Sequence, residues 1–269
     1  MSLETITSLG WQALQFSLIY VLLIIVIAVM KAFRIDKAKV LLVASIKMTV
    51  QLILAGILLT YIFQYPHPAF TVLYLLAMLG FAIYTVWKRN PNLNRRFHLV
   101  IAASMSVSSI FIIVFFIALV VRENVLNPQY AIPLYGMVVG NSMTGVTLGL
   151  KTFQDVTAGQ TKRINALLCF GAGPREILFP FVKQSLETAM VPTINSMIGM
   201  GIVFLPGMMT GQILAGALPM TAIFYQIAIM IAITTVVTCA CFGSLYFGFQ
   251  TLFDKDTQII RLPSVEAES

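Results

Sequence analysis

Apolar residues fill long stretches of this chain, and charged residues collect in the short gaps between them. From Met48 to Trp87 there is no Lys, Arg, Asp or Glu, and after Glu187 there is none until Asp254. A helix needs about 20 apolar residues to cross the hydrocarbon core, so each of these runs is long enough for two. Prolines 66 and 68 in "QYPHP" divide the first run, because proline cannot continue a regular helix, and "AGALP" (215–219) divides the second. With the remaining runs, the pattern predicts about seven transmembrane helices. They are centred on Trp11–Met30, Val40–Phe63, Ala69–Trp87, His98–Val121, Ile132–Leu150, Pro192–Leu214 and Met220–Gly248.

Composition agrees: the 269 residues are 59% hydrophobic and 10% charged, against roughly 25% charged in soluble domains. The expected fold class is therefore all-α, a polytopic integral membrane protein forming one transmembrane domain over residues 1–269. "MSLETITSLG" lacks the basic region of a cleaved leader, so the first run is expected to stay as a helix.

The charges then set the expected orientation. "KAFRIDKAK" (31–39) and "KRNPNLNRR" (88–96) each hold four basic residues, and the segment 151–187 holds Lys151, Lys162, Arg163, Arg175 and Lys183. The alternate connections, "QYPHP", "RENVLNPQY" and "AGALP", are neutral or nearly so. Basic loops stay in the cytoplasm, which predicts a multi-pass protein of the cell membrane with its N-terminus outside and its C-terminus cytoplasmic. It also explains the net charge of +7 without a nucleic-acid partner; membrane lipid is the expected surroundings.

Several classes are disfavoured. A retinal protein needs a lysine deep in its last helix, and that run has none. The two histidines, His67 and His98, belong to loops on opposite faces, and no His-Glu metal signature occurs. Cys239 and Cys241, two apart, do not share a helix face. Methionines 197, 200, 208 and 209 crowd the sixth run; thioethers suit soft metals but also fill core gaps. No metal ligand set can be assigned.

Small and polar residues mark the fifth and sixth runs. Gly136 and Gly140, Gly145 and Gly149, and Gly207 and Gly211 have the Gly-x-x-x-Gly spacing that lets helices approach closely in lipid. Beside them stand the candidate path residues Asn141, Ser142, Thr144, Asn195, Ser196, Met200, Met208 and Gln212, with Pro206 in mid-run. Polar groups and a proline inside a span favour a lined cavity.

Between those runs, residues 151–191 are expected to form a cytoplasmic coupling segment between the fifth and sixth helices. Ile164, Leu167, Leu168 and Gly171 share one helix face, "GAG" stops that helix, and Pro174 suits the first turn of the next. Glu176 sits near its positive end, and Ile177, Leu178, Phe181 and Val182 make a second apolar stripe. The shape, a short helix, an elbow and a returning helix, is one that a soluble partner can grip.

This segment resembles the coupling loop of ATP-binding-cassette import permeases, E-A-A-x-x-x-G continued as G-A-x-P. Asn165, Ala166 and Leu167 stand at the first three positions, Gly171 at the glycine, and Ala172 and Pro174 in the continuation, with Arg175 and Glu176 following; the leading Glu is absent. Nearly the whole chain resembles the FetB-type iron-export permeases of bacteria and their plant relatives linked to aluminium tolerance. The resemblance is most specific in "IPLYGMVVGNSMTGVTLGL" (132–150), "GAGPREI" (171–177) and "SMIGMGIVFLPGMMTGQILAG" (196–216).

What the resemblance implies is a permease subunit of an ABC-type transporter, exporting a metal, iron in the family's assignment, and working with a separate cytoplasmic ATPase. No Walker-type phosphate loop occurs, so the chain is expected to be no enzyme and to bind no cofactor, ATP-Mg belonging to the partner. With one coupling segment per chain and two ATPase sites to serve, a homodimer of the permease is expected. Export of an organic or lipid-like solute, and a non-transporting scaffold or sensor, remain open alternatives.

Overall fold

The structure, a computed structural model, describes residues 18–65 and 67–252. The part of the first expected span before residue 18, the proline at position 66 and the tail after residue 252 lie outside the described residues. Those described form nine α-helices: α1 (Tyr20–Ala32), α2 (Ala38–Gln64), α3 (Pro68–Arg89), α4 (Arg95–Phe115), α5 (Pro128–Gly159), α6 (Thr161–Cys169), α7 (Pro174–Gly199), α8 (Gly207–Leu214) and α9 (Pro219–Gln250). A π-helical turn, Phe116–Val121, extends α4.

The expectation of about seven transmembrane helices is corrected by the structure. Among the described residues, four helical stretches are long and apolar enough to cross a membrane: Ala38–Gln64, Pro68–Arg89, Arg95–Val121 and Pro219–Gln250. The other three expected spans fail for different physical reasons. The described part of α1 has 13 residues, short of the hydrocarbon thickness. Helix α5 has 32 residues, but its glycines and the polar run Asn141 to Thr147 dilute its hydropathy. The expected sixth span is not one helix, because the chain breaks between α7 and α8.

That break spans residues 200–206. Met200 leaves helical geometry (ψ 132°), Gly201 takes φ +83°, and the Gly201 N–H donates to the Phe204 carbonyl at 3.0 Å. Pro206, extended at ψ 145°, caps the restart at α8. A left-handed residue and a proline five positions apart thus end one helix and start another.

The chain divides into two compact units, residues 1–65 and 66–269. In the first, α1 lies against α2 and the Tyr20 hydroxyl is hydrogen-bonded to Thr49; its apolar side chains are almost all exposed. The second unit carries the core. There α4 packs chiefly on α9, while α5 lies against α3, α7 and α9. Phe97, Ile101, Met105, Leu150, Phe153 and Leu245 are buried at its centre.

Glycines bring these helices together. A Cβ on Gly145 would fall 2.6 Å from Val237 Cγ1, and one on Gly243 would fall 2.7 Å from Ser104 Oγ. Gly149 lies against Ala189 and Cys241, and Gly248 faces the Phe97 ring. Cys241 is buried and Cys239 exposed, on separate faces of α9.

Polar contacts gather at one end of the second unit. Gln154 Nε2 donates to Asn90 Oδ1 at 3.1 Å, and Trp87 Nε1 donates to the His98 carbonyl at 3.0 Å. Asn94, the N-cap of α4, donates to the Thr251 carbonyl at 2.9 Å. Arg175 Nη2 donates to the Tyr246 hydroxyl at 2.6 Å. The start of α4, the last part of α5, the start of α7 and the end of α9 therefore share one end of the bundle. His67, by contrast, is the N-cap of α3, its Nδ1 accepting from the Ala69 N–H at 3.2 Å.

Candidate functional site

Two places in the second unit carry the candidate residues: the elbow between α6 and α7, and a cavity at the other end.

The elbow is built by capping. The Gly171 N–H donates to the Leu168 carbonyl at 3.0 Å and the Ala172 N–H to Leu167 at 3.1 Å. With Gly171 at φ +83°, this is the paired 6→1 and 5→2 bonding that closes a helix on a left-handed residue. Gly173 then caps α7, with Pro174 in the first turn and Glu176 near the helix's positive end. Ile164, Ile177, Leu178 and Val182 are buried, and Leu167, Leu168 and Ala172 pack against the core. That leaves Asn165, Ala166, Gly171, Arg175 and Glu176 exposed. Phe170 was not singled out from the sequence, and it stands 87% exposed at the tip. Arg175 is exposed yet anchored: besides its hydrogen bond, its guanidinium lies 5.5 Å from the Tyr246 ring centroid.

At the opposite end a cavity of about 280 Å³ opens between α5, α8, α9 and the π turn of α4. Met208 and Gln212 of α8 face Met137 and Leu134 of α5 across it, with Tyr225 of α9 and Val121 completing the wall. Gln129 and Tyr130 stand there too. No lining residue is charged. The Gln212 Oε1 is buried without a hydrogen-bond partner among the described residues, an acceptor whose desolvation none of them offsets.

The other path candidates are distributed differently. Asn141, Ser142 and Thr144 do not line the cavity. Asn141 and Thr144 are exposed, and their side chains donate to the Met137 and Gly140 carbonyls of their own helix at 2.7 and 3.1 Å. Ser142 is fully buried with its hydroxyl unpaired. Asn195 is exposed, and half-buried Ser196 donates to the Pro192 carbonyl at 2.9 Å. Met200, at the end of α7, has its sulfur 3.6 Å from Gln226 Nε2.

Among the packing glycines, Gly136 meets Met78, and Gly145 and Gly149 meet α7 and α9. Gly140, Gly207 and Gly211 face open space. Sequence reasoning missed Met137 and Tyr225, which line one cavity only through the packing of separate helices, and Gln226, which meets Met200. For Met137 a signal existed: it lies four residues from both Pro133 and Asn141 on one helix face.

These features define a class: an all-α polytopic membrane protein with an interrupted helix beside a cavity and a capped elbow at its other end. The chain belongs to the family described as "Uncharacterised protein family (UPF0014)", whose match covers residues 13–253. It is 32% identical over 246 residues to "UPF0014 membrane protein YjkA" of Bacillus subtilis, covering 91% of this chain and 97% of that protein. It is 31% identical to "Protein ALUMINUM SENSITIVE 3" of Arabidopsis thaliana, over 78% of this chain and 76% of the relative. The "Probable iron export permease protein FetB" of Escherichia coli is 26% identical over 78% of this chain and 80% of its own length. No solved structure matches. Among the described residues no group of three His, Cys, Asp or Glu side chains converges on a metal-sized space.

Proposed function

We propose that this chain is the permease subunit of an ATP-driven, ABC-type transporter that exports a metal ion, with a separate cytoplasmic ATPase docking on the elbow. The observation that carries the reading is the elbow itself, a glycine-capped turn with Asn165, Ala166 and Phe170 exposed and the apolar stripes of both flanking helices turned inward. It lies at the end of the second unit where Lys88, Arg89, Arg95, Arg96 and Lys162 lie on or beside the helix ends, which supports a cytoplasmic position in the cell membrane. Residues 151–191 then form the coupling segment of a single permease domain, Arg175 linking the dock to α9 through Tyr246. A homodimer of the permease serves the two ATPase sites, and ATP-Mg stays on the partner. Iron enters from the printed name of the Escherichia coli relative.

The test is ATP-dependent flux of radiolabelled iron into inverted vesicles holding this chain and its ATPase. Flux is expected in the parent, and Gly171→Glu abolishes ATPase co-purification while membrane insertion persists. Iron standing still while an organic solute moves supports the second reading, a solute exporter, which the uncharged cavity favours. No flux of anything, with undiminished stability, supports a scaffold or sensor.

A further inference from the structure

We propose that the cavity between α5, α8 and α9 binds a soft monovalent cation of the copper(I) class, held by the thioethers of Met137 and Met208 and the side-chain carbonyl of Gln212. The proposal rests on the metal-export reading and departs from iron as the ion held in this cavity.

Charge comes first. The cavity wall carries no carboxylate, imidazole or thiolate. A few neutral donors offset less of the dehydration of a divalent ion, whose Born cost is roughly four times that of a monovalent ion of the same radius. A monovalent ion asks far less of them.

Softness comes next. Two methionines line one space, and thioether sulfur selects soft cations over iron(II), which prefers nitrogen and oxygen. The third donor is the Gln212 Oε1, closed off from solvent and without a hydrogen-bond partner among the described residues; it must rotate into the space to reach an ion. A carbonyl oxygen can be satisfied only by a donor or a cation. A space of about 280 Å³ also leaves room for several waters at roughly 30 Å³ each, so an ion can enter partly hydrated.

A second, independent observation lies on the seam between α7 and α9. Met190 and Met197 of α7, and Met200 at its C-cap, place their sulfurs near polar groups of α9. Met190 Sδ lies 3.7 Å from Thr238 Oγ1 and Met197 Sδ 3.3 Å from Thr234 Oγ1, each hydroxyl also lying 2.8 Å from the backbone carbonyl four residues before it, and Gln226 Nε2 donates to Met200 Sδ at 3.6 Å. The order ascends along α7 as it descends along α9, so the pairs form a line toward the break that precedes Met208. A methionine that only fills space needs no polar partner. At the last pair the Gln226 Oε1 is again buried and unpaired. Soft sulfurs beside polar groups, the last of them next to the unpaired Gln226 carbonyl, are the weak donors that such an ion would meet along this seam.

The test uses silver(I), a redox-inert probe, on the purified full-length chain in nanodiscs. Cys169→Ser, Cys239→Ser and Cys241→Ala remove competing thiols. We expect silver to bind, with Met137→Leu and Met208→Leu each weakening it at least tenfold and Gln212→Leu at least threefold. Leucine conserves the volume of methionine, and an unchanged melting temperature confirms folding. Met143→Leu, on α5 but outside the cavity, leaves binding as it was. If the thiol-free background does not fold, the same comparison on the native chain reads the loss of one silver equivalent. Undiminished silver binding in the Met137→Leu/Met208→Leu double variant overturns the proposal, as does iron(II) binding that excess silver does not displace. Because binding needs no ATPase, either result leaves the export reading standing. Silver bound at these methionines with no ATP-driven flux of any metal sinks the export reading alone.

Discussion

The seam between α4 and α9 and the interrupted pair α7–α8 are both rich in small residues, yet they are put to opposite uses. At the seam, Gly243 and Gly248 admit Ser104 and the Phe97 ring, and Phe97 is fully buried. In α8, Gly207 and Gly211 face open space, and in the loop before it Ile202 and Val203 are 90% and 79% exposed. The same residue type closes a gap in one place and leaves one in the other. Spacing alone cannot separate these cases; the opposing helix decides.

The sharpest way to break this contrast is Gly248→Ala, which forces a methyl into a buried aromatic ring. Overpacking of this kind costs roughly 1–3 kcal/mol, and we expect the upper part of that range by thermal unfolding in detergent. Gly145→Ala should follow at about 1–2 kcal/mol, since the Val237 side chain at 2.6 Å can shift in part. Gly171→Ala places a Cβ on a residue at φ +83°, costing about 1 kcal/mol of local strain. Its readout is faster proteolysis at the elbow with little change in the global melt. Gly207→Ala and Gly211→Ala should move the other way, each stabilising by up to about 1 kcal/mol through helix propensity. Destabilisation of 2 kcal/mol or more there would show that α8 is covered by something the isolated chain lacks. The smallest effect belongs to Lys183→Ala. Its contact with Glu187 is 3.9 Å long and exposed, a pair worth at most about 0.5 kcal/mol.

The legible parts of the fold were those set by local chemistry. Pro68 and Pro219 open α3 and α9, and Gly171 closes α6, because each restricts or frees the backbone at its own position. The stripe Ile177, Leu178, Phe181, Val182 is buried as its spacing implies. The sixth expected span was misread because Pro206 is equally compatible with a kinked span and with a true break. Gly201 in the left-handed region decides for a break, and an apolar sequence does not reveal which glycine will adopt it. The cavity was half legible. Met208 and Gln212 stood out as polar or soft residues in an apolar run, but Tyr225 and Val121 join them from helices that only tertiary packing brings near. Arg175 and Tyr246 lie 71 residues apart, and no periodicity connects them.

The π turn at the end of α4 bears on how this chain tolerates changes of length. A π turn closes i→i+5 where an α turn closes i→i+4, so Phe116–Val121 stores one surplus residue in the last turn of the helix. Removing Ala118 would let the segment relax to α geometry without cutting the helix, so the deletion should still insert and fold. The residues after it would keep their angular position, because the π turn has already absorbed the extra residue. Val121 would stay in the cavity wall, and the left-handed Arg122 (φ 58°) would still start the next turn. The surplus residue is thus a register buffer: a natural deletion here would spare both the scaffold and the binding space.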